Sequence, residues 1–296
     1  MRVSLAICVG FAAALLGAAA PNPAVVAAWK ASQVDANKHW AQIPHAILKI
    51  QDSAYLRDGE TAVLTGDKGK PATYRWSHDV KAKGSLSVNV QGASVVVVKD
   101  GKPLDAKLIT KSIPVDKDID VWGQPTQVGA GIPGWRIFVY NQQNPAAKTF
   151  KGVSYFPYDP AYRVTAAFKP DPALPARTFR TSRGTDKQFY HAGDATFSLQ
   201  GKQFTLPFYA ESNRASGITD MSAFYTDAQA GNETYGSGRY VDVEGIKTFP
   251  PSVLTIDFND SYNPNCARSP HFTCPLATDD IELAVKAGEK NPHMAH

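Results

Sequence analysis

The residues best suited to chemistry lie close together in the second half of the chain, between Phe224 and Pro275. Two carboxylates there, Glu233 and Asp257, could serve as the acid and the base of a hydrolase, as carboxylate pairs do in glycoside hydrolysis. A second set could bind a ligand, because its side chains donate hydrogen bonds or stack on flat groups. Its members are Arg239, Tyr235, Tyr240, Asn259, Tyr262, Asn263 and His271.

The same residues can also be explained by folding alone. An arginine paired with a carboxylate on a neighbouring strand, together with turns closed by asparagine side chains, would account for most of them. Gly236 and Gly238 indicate a tight turn just before Arg239. We therefore expect Arg239 to bond to a carboxylate, Asp257 or Glu233, rather than to point into water. A structural cluster, a ligand site and a catalytic site all remain open.

Geometry separates the two functional alternatives. Carboxyl groups roughly 5 to 10 Å apart across an open cleft would favour a hydrolase that acts on a glycan. Carboxylates closed into ion pairs would favour a non-catalytic protein that binds a small molecule, a glycan or a cell-envelope partner. Tyrosines such as Tyr225 and Tyr262 could then stack on sugar rings or other flat ligands. The binding protein is our first interpretation, and the secreted hydrolase is the alternative.

The start of the chain has the three-part layout of a secretory signal peptide. Met1 and Arg2 precede an apolar run from Val3 to Leu16, and small residues follow it. The run is too short for a spanning helix, so we predict no membrane span. We expect cleavage after residue 19 and a protein exported to the periplasm or secreted.

Cys266 and Cys274 are the only cysteines that remain after residue 19. An even pair of cysteines in an exported protein predicts a disulfide. With His271 they could instead supply three zinc ligands. Thiols in an oxidising compartment more often pair with each other, so we predict a disulfide and no metal.

Composition argues against several other classes of protein. The 31 basic and 27 acidic residues leave a net charge of +4, and the two signs alternate along the chain. We find no basic stripe that would bind nucleic acid and no basic amphipathic helix for a membrane surface. The stretch from Gly129 to Gly134 fits the letters of a dinucleotide fingerprint, but a strand pattern rather than a helix follows it. No cofactor is predicted.

The elements that must position these residues are mostly strands. One amphipathic helix is predicted over residues 23–42, because apolar residues recur there among polar ones without glycine or an internal proline. Alternating runs bounded by turn residues then predict an all-β fold with two sandwich- or barrel-like subdomains. The proline-rich stretch from Lys169 to Pro175 divides an N-terminal β subdomain, residues 43–170, from a C-terminal one, residues 176–290.

The chain also carries blocks of residues that resemble a known family. These blocks are Gly231-x-Glu-Thr-Tyr-x-x-Gly-Arg-Tyr240, Tyr262-Asn-Pro-x-Cys-Ala-x-Ser-Pro-x-x-x-Cys-Pro275 and Ala287-Gly-Glu289. In this order they are similar to those of the bacterial domain-of-unknown-function family DUF1684, with weaker matches upstream. The resemblance implies an all-β protein without an assigned activity. After Cys274 the chain departs from the family's Glu-Asn-Arg-like triplet, which leaves Asp280 as the candidate carboxylate there.

Overall fold

The computed structural model describes residues 21–293, so the predicted signal peptide over residues 1–19 lies outside the described residues. The first element, helix α1, spans Pro23–Asn37. The sequence explains where it begins, since the Asn22 side chain accepts a hydrogen bond from the backbone N–H of Ala24 at 2.9 Å. Proline suits the first helical position, whose N–H has no partner within a helix.

Helix α1 continues into a five-residue π-helical turn, Lys38–Gln42. No residue of α1 is fully buried, whereas Trp40 of the turn is. The helix lies against the β-structure through Trp29, whose indole N–H donates to the backbone oxygen of Asn259 at 2.9 Å. The predicted N-terminal helix over residues 23–42 is confirmed, with a π turn at its end. None of the helices in the described part of the chain combines the length and the apolar character that crossing a membrane requires.

The rest of the described chain is mainly strands, which confirms the predicted all-β fold class. The first half contains β1 (Ile50–Leu56), β2 (Thr61–Thr65), β3 (Arg75–Ser77), β4 (Leu86–Gln91), β5 (Ser94–Lys99), β6 (Lys102–Leu104), β7 (Ile113–Asp116), β8 (Ile119–Gly129) and β9 (Ile132–Asn141). After the short helix α2 (Pro145–Thr149), the second half contains β10 (Arg163–Pro170), β11 (Ala176–Arg180), β12 (Asp186–Leu199), β13 (Lys202–Ala210), β14 (Met221–Asp227), β15 (Arg239–Val243), β16 (Val253–Asp257) and β17 (Asp279–Ile281).

Two antiparallel sheets build the first half. Their strand orders are β1-β9-β8-β7 and β3-β2-β4-β5-β6. The alternation in the sequence explains their packing, since Leu86, Val88 and Val90 of β4 are buried while the residues between them are more exposed. The two sheets share one apolar core, which also includes Leu56 and Ile137. Burial of each such aliphatic side chain contributes roughly 1.5 to 3 kcal/mol.

One larger sheet builds the second half and curves into a half-barrel. Its strands follow the order β15-β14-β13-β12-β10-β16, with β11 on β12 and β17 on β14. Strand β17 pairs parallel with β14, and the other pairs are antiparallel. Phe197, Leu206 and Ile256 belong to the apolar core of this half.

The proline-rich stretch connects two strands of this one sheet. Strand β10 pairs with β12 and β16, and Pro170 at its end is still in register with Gly193. A proline is tolerated there because a strand end loses a single donor. The predicted division between residues 43–170 and 176–290 therefore falls inside the sheet. The change from the first-half sheets to the second-half sheet comes earlier, between β9 and β10.

Aromatic and amide side chains join the two halves. Phe138 of β9 packs on Phe272 with ring centroids 5.4 Å apart, in a cluster that also includes Tyr240. The Gln127 amide donates to the backbone oxygen of Gln188 at 2.8 Å and accepts from its N–H at 2.9 Å. This reciprocal pair attaches β8 to β12.

Candidate functional site

Arg239 is buried at the start of β15 and pairs with a carboxylate. Its Nη2 donates to Asp227 at 2.7 Å, and both side chains are 1% exposed. Strand register explains the pairing: Arg239 lies opposite Tyr225 on β14, and Asp227, two residues further, has its side chain on the same face. The guanidinium also lies over the Tyr225 ring at 5.5 Å. The partner is therefore Asp227, whereas the sequence predicted Asp257 or Glu233.

The same guanidinium holds the C-terminal segment in place. Arg239 donates to the backbone oxygens of Val285 at 2.8 Å, Ala287, and Glu289 at 3.3 Å. This segment follows the last described strand, so its carbonyl groups lack sheet partners and need other donors when buried. One arginine thus neutralises a carboxylate and satisfies three carbonyl groups.

A second buried ion pair continues this network toward the N-terminal helix. Glu289 accepts from Arg268 at 2.9 Å, and the two side chains are 4% and 10% exposed. The backbone N–H of Asn263 also donates to Glu289 at 3.2 Å. Burial raises the pKa of Glu289, while the Arg268 charge opposes the rise. The Arg268 guanidinium lies 5.1 Å from the ring centroid of Trp40.

Three more predicted ligand-binding residues have structural partners instead. Tyr240 donates its hydroxyl to the backbone oxygen of residue 275. The Asn259 amide donates to the backbone oxygen of Asp159 at 2.9 Å and accepts from its N–H at 3.0 Å. The Asn263 amide donates to a backbone oxygen of the C-terminal segment at 2.7 Å. All three are buried, so their polar groups serve to close loops.

The other predicted binding residues lie apart from one another. Tyr262 donates to Asp242 at 2.8 Å and lines the large cleft described below. The His271 ring lies 3.3 Å from the Ser53 hydroxyl and lines a different depression. Burial lowers the pKa of His271. Tyr235 is partly buried and lines neither space, so the structure does not gather these side chains into one site.

The predicted catalytic carboxylates are both closed into ion pairs. Glu233 pairs with Lys286 at 2.8 Å, and Asp257 pairs with Arg163 at 2.8 Å. The second Asp257 oxygen accepts from the N–H and the amide of Asn259 at 3.0 and 2.8 Å. Asp257 lines the cleft and Glu233 does not. The two residues therefore do not face each other as an acid and a base.

The two cysteines are neighbouring free thiols. The backbone N–H of Cys266 lies 3.3 Å from the sulfur of Cys274. Donation by the Cys274 thiol lowers the pKa of Cys266 to about 7, and the hydroxyls of Ser182 and Tyr235 act in the same direction. The same contact and burial raise the pKa of Cys274. The two sulfurs are not bonded to each other in the structure, and the disulfide stays a prediction.

An open cleft of about 1030 Å³ lies between helix α1 and the two end strands of the second-half sheet, β15 and β16. Trp29 forms part of its α1 wall, with its ring set edge-on against Tyr155 and Tyr158 at centroid distances of 6.3 and 5.4 Å. The aromatic and acidic residues that line the cleft are Trp29, Tyr155, Tyr262, Asp242, Glu244, Asp257, Asp260 and Glu289. It combines flat rings with hydrogen-bond acceptors.

Asp260 is a carboxylate of the cleft with a strongly raised pKa. Removal from bulk water raises its pKa to about 6, the Asp257 and Glu244 charges add to the rise, and Arg163 opposes it. Its side chain is solvent-exposed. Because it lies inside the cleft, protein atoms nevertheless replace part of its hydration. Within residues 21–293, Asp260 forms no ion pair.

The cysteines and histidine considered as zinc ligands do not converge. Among the residues that the structure describes, no three His, Cys, Asp or Glu side chains are placed so that they could hold a metal ion. His271 contacts the first half of the chain instead, because its backbone oxygen accepts a hydrogen bond from the Tyr55 hydroxyl at 2.9 Å.

Sequence reasoning missed the residues that line the cleft from outside the signature blocks. Arg163 and Asp242 lie in strands with ordinary alternation, and nothing in that pattern marks them as neighbours of Asp257 and Tyr262. A signal did exist for Asp260, because the run Asp257-Phe-Asn-Asp260 places two carboxylates around a short turn. Like charges held close raise one of the two pKa values.

Comparison with known proteins identifies a family for the second half. Residues 148–290 match a family model described as "Protein of unknown function (DUF1684)". The match includes all three signature blocks and confirms the resemblance drawn from them. No curated protein matches the chain.

Solved structures are also similar to the chain. One of them is the solution NMR structure of an uncharacterized protein from Haloarcula marismortui, with 30% sequence identity and a TM-score of 0.43. The similarity covers 50% of this chain and 80% of that one. Neither comparison names an activity, so function has to be argued from the site.

Replacing Arg239 with alanine should destabilise the protein by about 3 to 5 kcal/mol, because Asp227 would remain buried without its counter-charge. Arg239→Lys should also be destabilising, since one ammonium cannot reach a carboxylate and three carbonyl groups in a fixed plane. Urea denaturation gives both values. The control is Arg180→Ala, which breaks the exposed pair with Asp186 and should cost about 1 kcal/mol or less. Equal losses for Arg239→Ala and Arg180→Ala would contradict the central role of Arg239.

Replacing Asp260 with asparagine should raise the melting temperature at pH 7.5. The pKa of Asp260 is about 6 in the fold and about 4 in an unfolded chain, so the folded state binds the proton more tightly. Protonation of Asp260 therefore stabilises the fold at low pH, and this contribution is lost as the pH rises from about 4 to above 6. Asparagine resembles the protonated acid, so the two proteins should melt alike near pH 3.5. Asp100→Asn, in an exposed turn where φ is +48°, is the control, and a pH-independent effect of Asp260→Asn would contradict the assignment.

Proposed function

Because residues 148–290 match the model of the DUF1684 family of proteins of unknown function, we propose the function of the chain from the geometry of the cleft. The chain is an exported, non-catalytic binding protein that takes a small hydroxyl-rich ligand, of the sugar class, between α1 and the edge of the second-half sheet. The observation that carries this proposal is the pairing of fixed aromatic rings with unpaired carboxylates in one open cleft.

The size and walls of the cleft suit a ligand of one or two sugar rings. A volume of about 1030 Å³ is at the upper end of the usual range for ligand pockets, about 300 to 1,000 Å³. Trp29 is held by its indole hydrogen bond and by two tyrosines, so its ring loses little freedom when a ligand stacks on it.

The carboxylates supply acceptors for hydroxyl groups. Asp242 accepts from Tyr262, while Asp260 and Glu244 have no ion-pair partner within the described residues. Burial raises the pKa of Asp242 because its carboxylate has lost part of its hydration. A hydrogen-bond donor from a ligand would replace the lost water at that position. A sugar carries several hydroxyl donors around a ring whose faces are apolar. The hydroxyl groups match the carboxylates of the cleft, and the apolar faces match its aromatic rings.

A hydrolase is the second candidate, and one observation favours it. Asp260, with a pKa of about 6, would be suited to donate a proton near neutral pH. A hydrolase also needs a base or a nucleophile facing it. Asp257 uses both oxygens, on Arg163 and on Asn259, which leaves it fixed and satisfied. Because these bonds occupy both oxygens of Asp257, the residue is not free to act as a base or a nucleophile. The arrangement therefore favours a binding protein over a hydrolase.

Export remains part of the proposal. The layout of residues 1–19 supports it, and the placement of Cys266 beside Cys274 is compatible with a disulfide that forms in an oxidising compartment. With a pKa near 7, Cys266 is partly thiolate at neutral pH, which is the form that attacks an oxidising disulfide. A loop closed by the disulfide would lose less conformational entropy on folding. This would stabilise the folded protein by roughly 2 to 3 kcal/mol.

The sugar proposal is tested by titrating the mature protein with maltose, cellobiose and diacetylchitobiose while following tryptophan fluorescence and heat. At least one should bind saturably. Trp29→Phe and Asp260→Ala should each weaken that binding about tenfold, equivalent to about 1.4 kcal/mol. Matched controls are Trp122→Phe, on a tryptophan of β8 outside the cleft, and Asp100→Ala.

Two results would contradict this proposal. The first is that none of the three sugars binds. The second is binding that survives both cleft variants and therefore occurs elsewhere. Release of a monosaccharide during incubation, abolished by Asp260→Ala, would establish the hydrolase in its place.

The export proposal predicts that protein recovered from its native host lacks residues 1–19 and has no free thiol. Mass spectrometry measures the cleavage, and thiol titration in denaturant without reductant measures the cysteines. Reduction should then release two thiols, and Cys266 should be alkylated before Cys274 in the refolded, reduced protein because its pKa is lower. An intact Met1 would contradict export, and two reactive thiols in the native product would contradict the disulfide.

A further inference from the structure

A second cavity lies where the two halves of the chain meet. It has a volume of about 240 Å³ and is formed by β9 of the first half, by β12, β13, β14 and β15 of the second half, and by the loop around Phe272. We call it the junction cavity. Its aromatic lining residues are Phe189, Tyr209, Phe224, Tyr240, Tyr262 and Phe272.

Arg136 brings an unneutralised charge to this cavity. Its guanidinium carbon lies 5.0 Å from the ring centroid of Phe138 and 5.2 Å from that of Phe272. Its Nε is buried without a hydrogen-bond partner among residues 21–293, and it joins none of their ion pairs. The two rings therefore hold the cation in place without cancelling its charge.

Lys187 adds a second cation at the same cavity. It is partly buried in β12, and within the described chain it too forms no ion pair. Burial lowers its pKa, the charge of Arg136 lowers it further, and Cys274 and Glu211 act in the opposite direction. Arg136 and Lys187 thus both line the junction cavity.

The acidic residues of the cavity do not neutralise this pair. Glu211 and Asp220 line the cavity, but both are solvent-exposed, and neither lies within 4 Å of Arg136 or Lys187. Protein cations withdrawn from water are normally paired with an anion. Two cations that line one cavity, with no paired carboxylate and an aromatic wall, form a site to which an anion would contribute the missing charge.

We propose that the junction cavity binds a small aromatic carboxylate, with the acid group between Arg136 and Lys187 and the ring against the aromatic wall. A guanidinium offers parallel N–H donors that match both oxygens of a carboxylate. The size fits, because a cavity of about 150 Å³ accommodates benzene and about 240 Å³ leaves room for the acid group. The site is separate from the sugar cleft, although Tyr262 lines both, so the test leaves Tyr262 unchanged.

Calorimetric titration of the mature protein with benzoate tests the proposal directly. Benzoate should bind, and benzamide, which keeps the ring and lacks the charge, should bind at least tenfold more weakly. Inorganic phosphate should also bind more weakly than benzoate, because it gains nothing from the aromatic wall. Arg136→Gln and Lys187→Met should each weaken benzoate binding tenfold or more, whereas Arg57→Gln, on an exposed arginine of the first half, should not.

Thermal melting provides a second readout that does not depend on the variants. Benzoate should raise the melting temperature of the unaltered protein, because a ligand that binds the folded state stabilises it, and benzamide should raise it less. Arg136→Gln and Lys187→Met should both fold, since neither substitution leaves a buried carboxylate without its counter-charge.

Three results would overturn the proposal. These are no benzoate binding at millimolar concentration, equal binding of benzoate and benzamide, and benzoate binding that both cavity variants retain. Phosphate binding tighter than benzoate would show that the cation pair serves an inorganic anion and would overturn the aromatic assignment. If one variant does not fold, the other variant and the comparison of benzoate with benzamide on the unaltered protein decide the question.

Discussion

The buried pair of Arg239 and Asp227 is the interaction on which the second half of the structure depends. It joins strands β14 and β15, and through three carbonyl groups it also fixes the segment that ends at Glu289. Since Glu289 in turn holds Arg268 beside Trp40, one network of buried charges runs from the sheet to the turn after helix α1. Such a network is costly to desolvate, and it is stable only because each charge has a partner.

This network supports the cleft, and of its four charged residues only Glu289 lines it. Helix α1 buries none of its own residues, so it depends on contacts such as the Trp29 hydrogen bond to the residue 259 carbonyl. That carbonyl lies in the turn after β16, which Asp257 caps through Asn259. The wall of the cleft therefore rests on satisfied polar groups, and rigid walls lower the entropy that a ligand has to lose on binding.

Charged residues that form ion pairs and charged residues that do not have different roles in this molecule. Arg239, Asp227, Arg268 and Glu289 are paired and buried, and they hold the fold together. Asp260 in the cleft and the cations Arg136 and Lys187 at the junction cavity have no ion-pair partner within residues 21–293. The cleft is lined mainly by acidic residues, whereas the junction cavity holds two cations that no carboxylate pairs. They are suited to different ligands, a hydroxyl-rich one and an anionic one.

The sequence by itself determined the fold class, the N-terminal helix and the family, because hydrophobic periodicity and short signature blocks are local properties of the chain. It also marked the stretch around Arg239 as the centre of the second half. Only the tertiary structure decided that Asp227 is the partner of Arg239, since the register of β14 against β15 brings them together. It likewise placed Arg163, Asp242 and Asp260 in one cleft and Arg136 beside Lys187. Those contacts join residues far apart in the chain, and their positions depend on sheet order and on packing between the halves, which no local pattern encodes.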